Sequence, residues 1–284
     1  MRSPLRCNPL PARAELHCHT TCSDGTLSPA KLIARAKKAG IRALVLTDHD
    51  TVSGIEEARA AGREHGVRIA CGIEINTAEG GNIHVLGYGI DSESESLALR
   101  LNEFRLTRRQ RAEKIVDRLK DHGVDLSYDE VVGEAKDIDS IGRPHIADAL
   151  KRKGIVRSRS EAFERFLAPG KAAFVDSMGP SVAEAIETIR DAGGWSSLAH
   201  PGTVDPAIDW RPWVDAGLSA IEAYYGSHTG PQVEKYLAAA KRYGLLATGG
   251  SDYHGPGTGR GDLGKHRLPE DVFAALELRL KFDV

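Results

Sequence analysis

Cysteine is scarce in this chain, and its few cysteines form no disulfide framework. Of the four, only Cys18 and Cys22 are close enough in sequence to share a structural zinc ion, and no second pair completes such a site. The chain also lacks a signal-peptide pattern in residues 1–13 and any apolar run long enough to cross a bilayer. These absences predict a reduced, cytoplasmic protein with no membrane partner.

No charge of either sign is in large excess. Lys and Arg number 38 against 40 Asp and Glu, which gives a net charge of −2 and no sign of a dedicated nucleic-acid binder. The sequence contains no Gly-x-Ser-x-Gly elbow, no P-loop and no Rossmann glycine fingerprint. Internal repeats and low-complexity segments are also missing, so we expect one large α/β domain.

Apolar runs and amphipathic segments alternate from residue 14 onwards. The runs at residues 41–47 and 67–75 predict buried strands, and Ser28 followed by Pro29 predicts the start of a helix. Such alternation favours a parallel sheet or barrel. Helical spacing without a clear strand fills residues 94–171. We therefore predict a main domain over 14–284, interrupted by a helical subdomain at 94–171 and preceded by an extension at 1–13.

Polar residues collect where the predicted strands end. His17 and His19 are separated by one residue on a strand, so they point to the same face while Cys18 points away. In parallel α/β folds and barrels, the carboxyl edge of the strands is where active sites are built. His84 is an exception because it opens its strand. The other clusters at strand ends are Asp48-His49-Asp50, Glu74, His200 and Asp252–His254.

Each of these signals has an ordinary explanation when it is taken alone. A single His-x-His match is more often a pair of exposed polar residues, Asp24 is typical of a turn, and His84 fits a core histidine equally well. Glu74 is harder to explain, since a carboxylate buried at the end of an apolar run needs a cation. Mixed imidazole and carboxylate ligands suit zinc, manganese or iron(II), and two or three such ions can activate water and clamp a phosphate.

Taken in order, these residues resemble the motifs of the PHP (polymerase and histidinol phosphatase) superfamily. The resemblance extends from about residue 14 to residue 276. It is greatest to stand-alone PHP enzymes of nucleotides, namely phosphatases of 3′,5′-bisphosphonucleotides and 5′→3′ trimmers of short 5′-phosphorylated RNA. It implies an α/β fold, a distorted (β/α)7 TIM-like barrel, with a trinuclear metal centre. The matching motifs are His17-x-His19, Ser23-Asp24-Gly25, Thr47-Asp48-His49, Gly72-x-Glu74, Ala199-His200-Pro201-Gly202 and Gly250-Ser251-Asp252-x-His254.

The resemblance also implies a role for each matched position. The first ion would take His17, His19, Glu74 and Asp252, the second His84, His200 and Glu74, and the third Asp24, His49 and His254. We expect Asp252, His200 and His254 at the reaction centre, with His200 or His254 as the proton donor to the leaving oxygen if that residue is not fully committed to metal. The implied phosphate-binding residues are Arg143, His145, His228 and Lys171.

The implied activity is hydrolysis of a phosphomonoester on a nucleotide by a hydroxide that bridges the ions, with the 3′-phosphate of a 3′,5′-bisphosphonucleotide as the first choice of substrate. The alternatives are 5′→3′ exonuclease action on short RNA or DNA, histidinol-phosphate hydrolysis, and a metal-braced module without activity. We expect two or three divalent ions, manganese first and zinc or iron(II) as alternatives. The expected partner is a small nucleotide or short oligonucleotide, with no stable nucleic-acid complex and a monomeric state.

Two features stay open at this level. The basic stretch from Arg105 to Arg118 fits a solvated helix face better than an electrostatic guide for a polyanion. Tyr224 and Tyr225 fit either core packing or stacking on a nucleobase.

Overall fold

The computed structural model describes residues 13–79, 83–134, 141–265 and 268–283. All but the last residue of the predicted N-terminal extension lies outside these ranges. The strands are β1 (Ala14–Glu15), β2 (Ala43–Leu46), β3 (Arg68–Asn76), β4 (His84–Tyr88), β5 (Trp195–Leu198), β6 (Ala220–Tyr225) and β7 (Leu246–Gly250). The helices are α1 (Pro29–Lys38), α2 (Ile55–His65), α3 (Glu95–Asp121), α4 (Tyr128–Val132), α5 (Arg143–Arg152), α6 (Arg159–Ala162), α7 (Val182–Asp191), α8 (Arg211–Asp215), α9 (Gly230–Tyr243) and α10 (Glu270–Leu280).

The seven strands form one sheet in sequence order, and the sheet closes on itself. Closure joins the segments that follow β7 and β1, where the backbone N–H of Asp252 donates to the carbonyl of His17 at 2.9 Å. One step further along, the N–H of His19 donates to the carbonyl of Tyr253 at 2.9 Å. The expected TIM-like barrel is confirmed.

The direction of β4 distorts the barrel. β4 pairs antiparallel with both β3 and β5, whereas the other neighbouring strands pair in parallel. The described residues between β3 and β4 form no crossover helix, and antiparallel strands need none. The first residue of β4, His84, is the register partner of Asn76 at the end of β3. His84, the first residue of β4, therefore lies at the edge of the barrel where β3 and β5 end.

The helices of the barrel layer cover its outer face with apolar side chains. α1 shows how the sequence specifies them, since the Ser28 side chain accepts a hydrogen bond from the N–H of Lys31 and Pro29 occupies the first turn. The buried face of α1 includes Leu32 and Ile33. None of the helices in the described ranges combines the length and apolar character that a bilayer span requires.

In the described part of the segment between β4 and β5, all of the regular secondary structure is helical, and the segment has an apolar cluster of its own. α3 is 27 residues long, and its first turns pack into the barrel core through Leu97 and Leu101. Its second half, from Ala112 onwards, packs into the separate cluster together with α5. The α-helix α6 is only four residues long, and a short π-helix at Phe163–Leu167 follows it.

Close packing where the barrel closes leads to a stability prediction. A Cβ atom at Gly250 would lie 2.4 Å from Cβ of His17 and 2.7 Å from its backbone nitrogen. We expect Gly250→Ala to lower the free energy of unfolding by about 2–3 kcal/mol, because the strands must separate to admit the methyl group. Gly230 is the matched control, since a Cβ there meets nothing within 4 Å. The free energies of unfolding of both variants are measured in urea without metal. Equal values for Gly250→Ala and Gly230→Ala would contradict the close approach of Gly250 to His17.

Candidate metal centre

One mouth of the barrel gathers all of the histidines and carboxylates that the sequence predicts as ligands. His17 and His19 follow β1, His49 follows β2, and His200 follows β5. Cys18, between the first two, turns the other way into the apolar core, and burial raises the pKa of its thiol well above the ordinary value. The alternation expected for His-x-His is therefore present.

Glu74, the carboxylate near the end of β3, lies at the middle of this group and is 1% exposed. Its Oε1 lies 2.8 Å from Nδ1 of His84 and 3.0 Å from Nε2 of His200. Its Oε2 lies 3.1 Å from Nε2 of His19 and 3.3 Å from Nε2 of His17. Burial by itself would raise the pKa of Glu74, but the surrounding histidines hold it well below its usual value. Glu74 is therefore an anion buried in a shell of imidazoles.

The ligand atoms converge in three overlapping groups. In each group, one nitrogen or oxygen per residue lies within 4.8 Å of those of the other members. The groups are His17, His19, Glu74 and Asp252; His19, Asp24, His49 and His254; and His49, Glu74 and His84. The first contains the residues that the resemblance assigns to one ion. The second contains the residues assigned to another ion together with His19.

Several buried atoms at this point have no hydrogen-bond partner. They are Nε2 of His17, Nε2 of His19, Oδ1 of Asp24 and Oε2 of Glu74. A buried polar atom without a partner destabilises a protein by roughly 1–3 kcal/mol, so four of them in one place need an explanation. Imidazole lone pairs and carboxylate oxygens that converge in this way fit divalent cations.

The backbone is also unusual at this mouth. Asp50, His200 and Asp252 have positive φ values of 53°, 27° and 54°. Such conformations are rare for residues other than glycine, and they concentrate at functional sites, where the surrounding structure holds them in place. In this barrel they turn the chain sharply after β2, β5 and β7.

The acidic residues on either side of His49 have supporting roles that the sequence did not reveal. Asp48 accepts hydrogen bonds from the N–H of Thr20 at 2.7 Å and from Oγ of Ser23 at 2.5 Å, so it anchors the loop after His19. Asp50 accepts from Nδ2 of Asn76 at 2.8 Å and from Nη1 of Arg108 at 2.7 Å. Asp50 thus ties the metal centre to α3.

Tyr225 reaches the centre because β6 is irregular. The register of β6 shifts between Glu222 and Tyr224, a β-bulge that changes which way the following side chains point. The hydroxyl of Tyr225 donates to Oδ2 of Asp252 at 3.0 Å, whereas Tyr224 packs against the core. Of the two tyrosines left open by the sequence, Tyr225 belongs to the site.

Above the centre lies a pocket with one wall made by the helical segment. Arg108 and Arg111 of α3 and Arg143 of α5 line it, as does Arg260 on the other side. The solvated-face interpretation is therefore wrong for Arg108 and Arg111, while it fits Arg109, which is exposed and pairs with Glu113 at 3.0 Å. The helical period would have placed Arg108 next to Phe104, Arg111 and Ala112, which are three or four residues away from it along the helix.

Backbone carbonyls hold these arginines in place. Nε and Nη2 of Arg111 donate to the carbonyl of Val175 at 3.0 and 2.8 Å, and Nε of Arg108 donates to that of Ile141 at 3.1 Å. Burial, with Arg143 and Arg108 nearby, lowers the pKa of Arg111 to about 9. Burial, with Arg108 and Arg260 nearby, lowers that of Arg143 to about 10. Cations held this close together favour a ligand with multiple negative charges.

The other residues implied to bind phosphate lie elsewhere. His145 is buried, and its Nδ1 accepts from the N–H of Gly142 at 3.1 Å at the start of α5. His228 bonds through Nδ1 to the carbonyl of Ala223 at 3.0 Å and through Nε2 to the N–H of Gly202 at 3.2 Å. Lys171 is exposed. Of the four predicted residues, Arg143 alone forms part of the pocket wall.

A closed barrel with a buried cluster of histidines and carboxylates at its mouth defines the class of metal-dependent hydrolases. Comparison with known proteins identifies the family. Residues 15–153 match the PHP domain. The chain is 35% identical over 89% of its length to the 5′-3′ exoribonuclease of Haemophilus influenzae, 93% of which is covered. It is 34% identical, again over 89% of its length, to the 3′,5′-nucleoside bisphosphate phosphatase of Chromobacterium violaceum, 91% of which is covered.

Solved structures give the same result. The fold superimposes with a TM-score of 0.86 on an inferred metal-dependent phosphoesterase from Bifidobacterium adolescentis, at 32% identity and with 95% of this chain and 97% of that chain covered. This chain therefore belongs to the PHP family of metal-dependent phosphoesterases, as the ordered motifs of the sequence indicated.

Protons and metal ions compete for this centre, which predicts how metal binding depends on pH. Burial would lower the pKa of His19, but Asp252 and Glu74 raise it to about 9. Below that pH the imidazole must lose a proton before it can bind a cation. We expect the apparent affinity for Mn²⁺ to fall by roughly tenfold per pH unit from pH 9 to 7 for each proton displaced. Competition titrations with a chelating dye measure this dependence, and a pH-independent affinity would contradict it.

Proposed function

We propose that this chain hydrolyses phosphomonoesters on nucleotides, and that its first-choice reaction removes the 3′-phosphate of a 3′,5′-bisphosphonucleotide. The observation that carries the proposal is a cationic wall, formed by Arg108, Arg111 and Arg143, in the same pocket as the buried histidine and carboxylate centre. A bisphosphate offers one phosphate to the centre and a second phosphate to the arginines. The 34% identity to a 3′,5′-nucleoside bisphosphate phosphatase supports this choice.

Two or three divalent ions are the proposed cofactors, with manganese first and zinc or iron(II) as alternatives. The residues that would hold them are His17, His19, Asp24, His49, Glu74, His84, His200, Asp252 and His254. When bound, such ions supply positive charge to the phosphate oxygens and make water more acidic.

The protein's own residues position the substrate and move the protons. Arg143 and Arg111 hold the second phosphate, and Arg260 adds positive charge at the edge of the centre, where its Nη1 lies 3.0 Å from Nε2 of His254. Asp252 is oriented by the hydroxyl of Tyr225. The proton for the leaving oxygen comes from whichever of His200 and His254 is not bound to an ion, and the position of His200 in the pocket wall supports the former.

5′→3′ trimming of short 5′-phosphorylated RNA or DNA is the second candidate. It is supported by the 35% identity to a 5′-3′ exoribonuclease, which this chain matches over 93% of that protein's length. The arginine wall serves this reaction too, because it would receive a terminal phosphate. Histidinol phosphate has a single phosphate, and a metal-braced module without activity has no use for the arginines, so the pocket supports neither.

Other expectations from the sequence are kept as predictions. We propose that residues 94–171 form an inserted subdomain of the domain at 14–284. The apolar cluster that extends from Ala112 to Val175 supports this division. A monomeric state, a cytoplasmic location and the absence of a stable nucleic-acid partner also remain predictions.

A matched pair of variants on α3 tests the proposed substrate. Arg111→Ala should lower kcat/KM for adenosine 3′,5′-bisphosphate by at least about tenfold, because the second phosphate loses a cationic partner in the pocket. The same variant should hardly change kcat/KM for adenosine 3′-monophosphate, which lacks the second phosphate. Arg109→Ala is the control, since Arg109 is exposed and pairs with Glu113.

Phosphate release from both nucleotides, and product length from a 5′-phosphorylated oligonucleotide, measure these effects. Equal losses on the two nucleotides would remove the second-phosphate site from the proposal. Trimming of the oligonucleotide without phosphate release from the bisphosphate would favour the second candidate.

Removal of one predicted ligand tests the metal centre. We expect His17→Ala to lower turnover on the order of 1,000-fold with Mn²⁺ present, because the first group of ligands is then incomplete. His122→Ala is the control, as His122 is exposed and bonds to a backbone carbonyl of its own helix. Circular dichroism of both variants checks the fold. Wild-type turnover by a folded His17→Ala protein would refute the ligand assignment.

A further inference from the structure

A buried glutamate that the predicted ligand set does not include lies directly behind the metal centre. Glu222 of β6 is fully buried. Its Oε1 lies 2.9 Å from Nδ1 of His17, and its Oε2 accepts the backbone N–H of His200 at 2.7 Å. The two oxygens of one carboxylate thus reach two predicted ligands that belong to different strands.

The contact with His17 fixes which ring nitrogen faces the cation site. Nδ1 faces Glu222, so an ionised carboxylate there requires Nδ1 to carry the proton. In the neutral ring that binds a cation, Nε2 then carries the lone pair, and it points to the position between Oε2 of Glu74, at 3.3 Å, and Oδ1 of Asp252, at 3.5 Å. This is the tautomer that a metal ligand needs.

The contact with His200 holds a strained stretch of chain. His200 has φ 27° and ψ 59°, a conformation that a non-glycine residue adopts only when its surroundings enforce it. The bond from its N–H to Glu222 anchors that backbone. The imidazole of His200 thereby stays 3.0 Å from Oε1 of Glu74.

From these contacts we propose that Glu222 is a positioning residue for the metal centre, which sets the tautomer of His17 with one oxygen and the backbone of His200 with the other. The inference rests on the metal centre of the proposed function, and it is independent of the substrate. It assigns to Glu222 an effect on metal affinity through His17 and His200, without a bond to the cation.

Glutamine at position 222 isolates this role. Glu222 receives two N–H groups on two oxygens, whereas an amide has one oxygen and an NH2 group. In Glu222→Gln the NH2 group must face either the N–H of His200 or Nδ1 of His17. In the first arrangement, the NH2 group and the N–H of His200 face each other, and both are donors. In the second, Nδ1 of His17 must accept, so the proton of its ring moves to Nε2, where the cation would bind. Either one weakens metal binding.

Glu15 gives a matched control in the same barrel interior. It is also buried, but its Oε1 accepts both of its bonds, from the backbone N–H of His17 at 3.2 Å and of Ser251 at 2.8 Å. Its Oε2 has no hydrogen-bond partner. Glu15→Gln therefore keeps an oxygen that accepts both backbone N–H groups. The imidazole of His17 is untouched.

The experiment measures the affinity of each protein for Zn²⁺ and Mn²⁺ by competition with a chelating dye. We expect Glu222→Gln to bind more weakly than wild type by about 10- to 100-fold and Glu15→Gln to remain within about threefold. Thermal unfolding of the metal-free proteins checks the fold. If wild type binds no ion, the proposed function fails with the inference. If wild type and Glu222→Gln bind equally tightly, the inference alone is wrong.

A proton spectrum of the zinc-loaded protein gives a second, independent result. The Nδ1 proton of His17 should appear as a slowly exchanging imidazole resonance in wild type and Glu15→Gln, and it should be lost or shifted in Glu222→Gln. Should Glu222→Gln not fold, ¹⁵N-histidine labelling of the wild-type zinc protein decides the question, with His17→Ala identifying the signal. A proton on Nε2 of His17 would overturn the inference.

Discussion

The burial of the Glu74 carboxylate is the interaction on which the rest of the site depends. A buried anion without compensation destabilises a protein strongly, and Glu74 at 1% exposure is compensated by imidazoles from β4 and from the ends of β1, β2 and β5. Apart from the partly exposed His84, these histidines are buried as well, and their ring nitrogens converge on the same carboxylate in an arrangement that could hold metal ions. Residues from separate strands therefore meet in one centre around Glu74.

The geometry of the barrel brings these residues together at a single edge. Parallel strands deliver the residues that follow them to one mouth, and β4 runs the opposite way, so its first residue reaches that mouth too. Positive φ values at Asp50, His200 and Asp252 turn the chain there without glycine. Behind the ligands, Asp48, Asp50 and Glu222 hold the loops and rings in position. The supporting carboxylates thus keep the ligands oriented before any ion binds.

The helical segment supplies the arginine wall to which the proposed function assigns the recognition of a second phosphate. α3 belongs to both apolar clusters, with its first turns against the barrel and its second half in the segment's own core. Between these halves, Arg108 and Arg111 face the pocket, and Arg108 also bonds to Asp50 next to His49. One helix therefore connects the phosphate-facing wall with the metal centre, and the distance between wall and centre is set by packing along α3.

The sequence alone identified the family, because its ordered motifs at strand ends are visible along the chain, and the resemblance implied the barrel and the set of histidines and carboxylates that meet at its mouth. The sequence also indicated the alternation of His17, Cys18 and His19, since side chains of a strand alternate with a period of two. The tertiary structure decided what depends on contacts between distant segments. In the folded chain, β4 runs antiparallel to both of its neighbours, and an irregularity in β6 allows Tyr225 to reach Asp252. Arg108 and Arg111 line the pocket. The tertiary structure also placed Glu222 behind His17, which lies 205 residues earlier in the chain. No local pattern encodes such a pairing, because hydrogen bonds between strands depend on how the barrel closes.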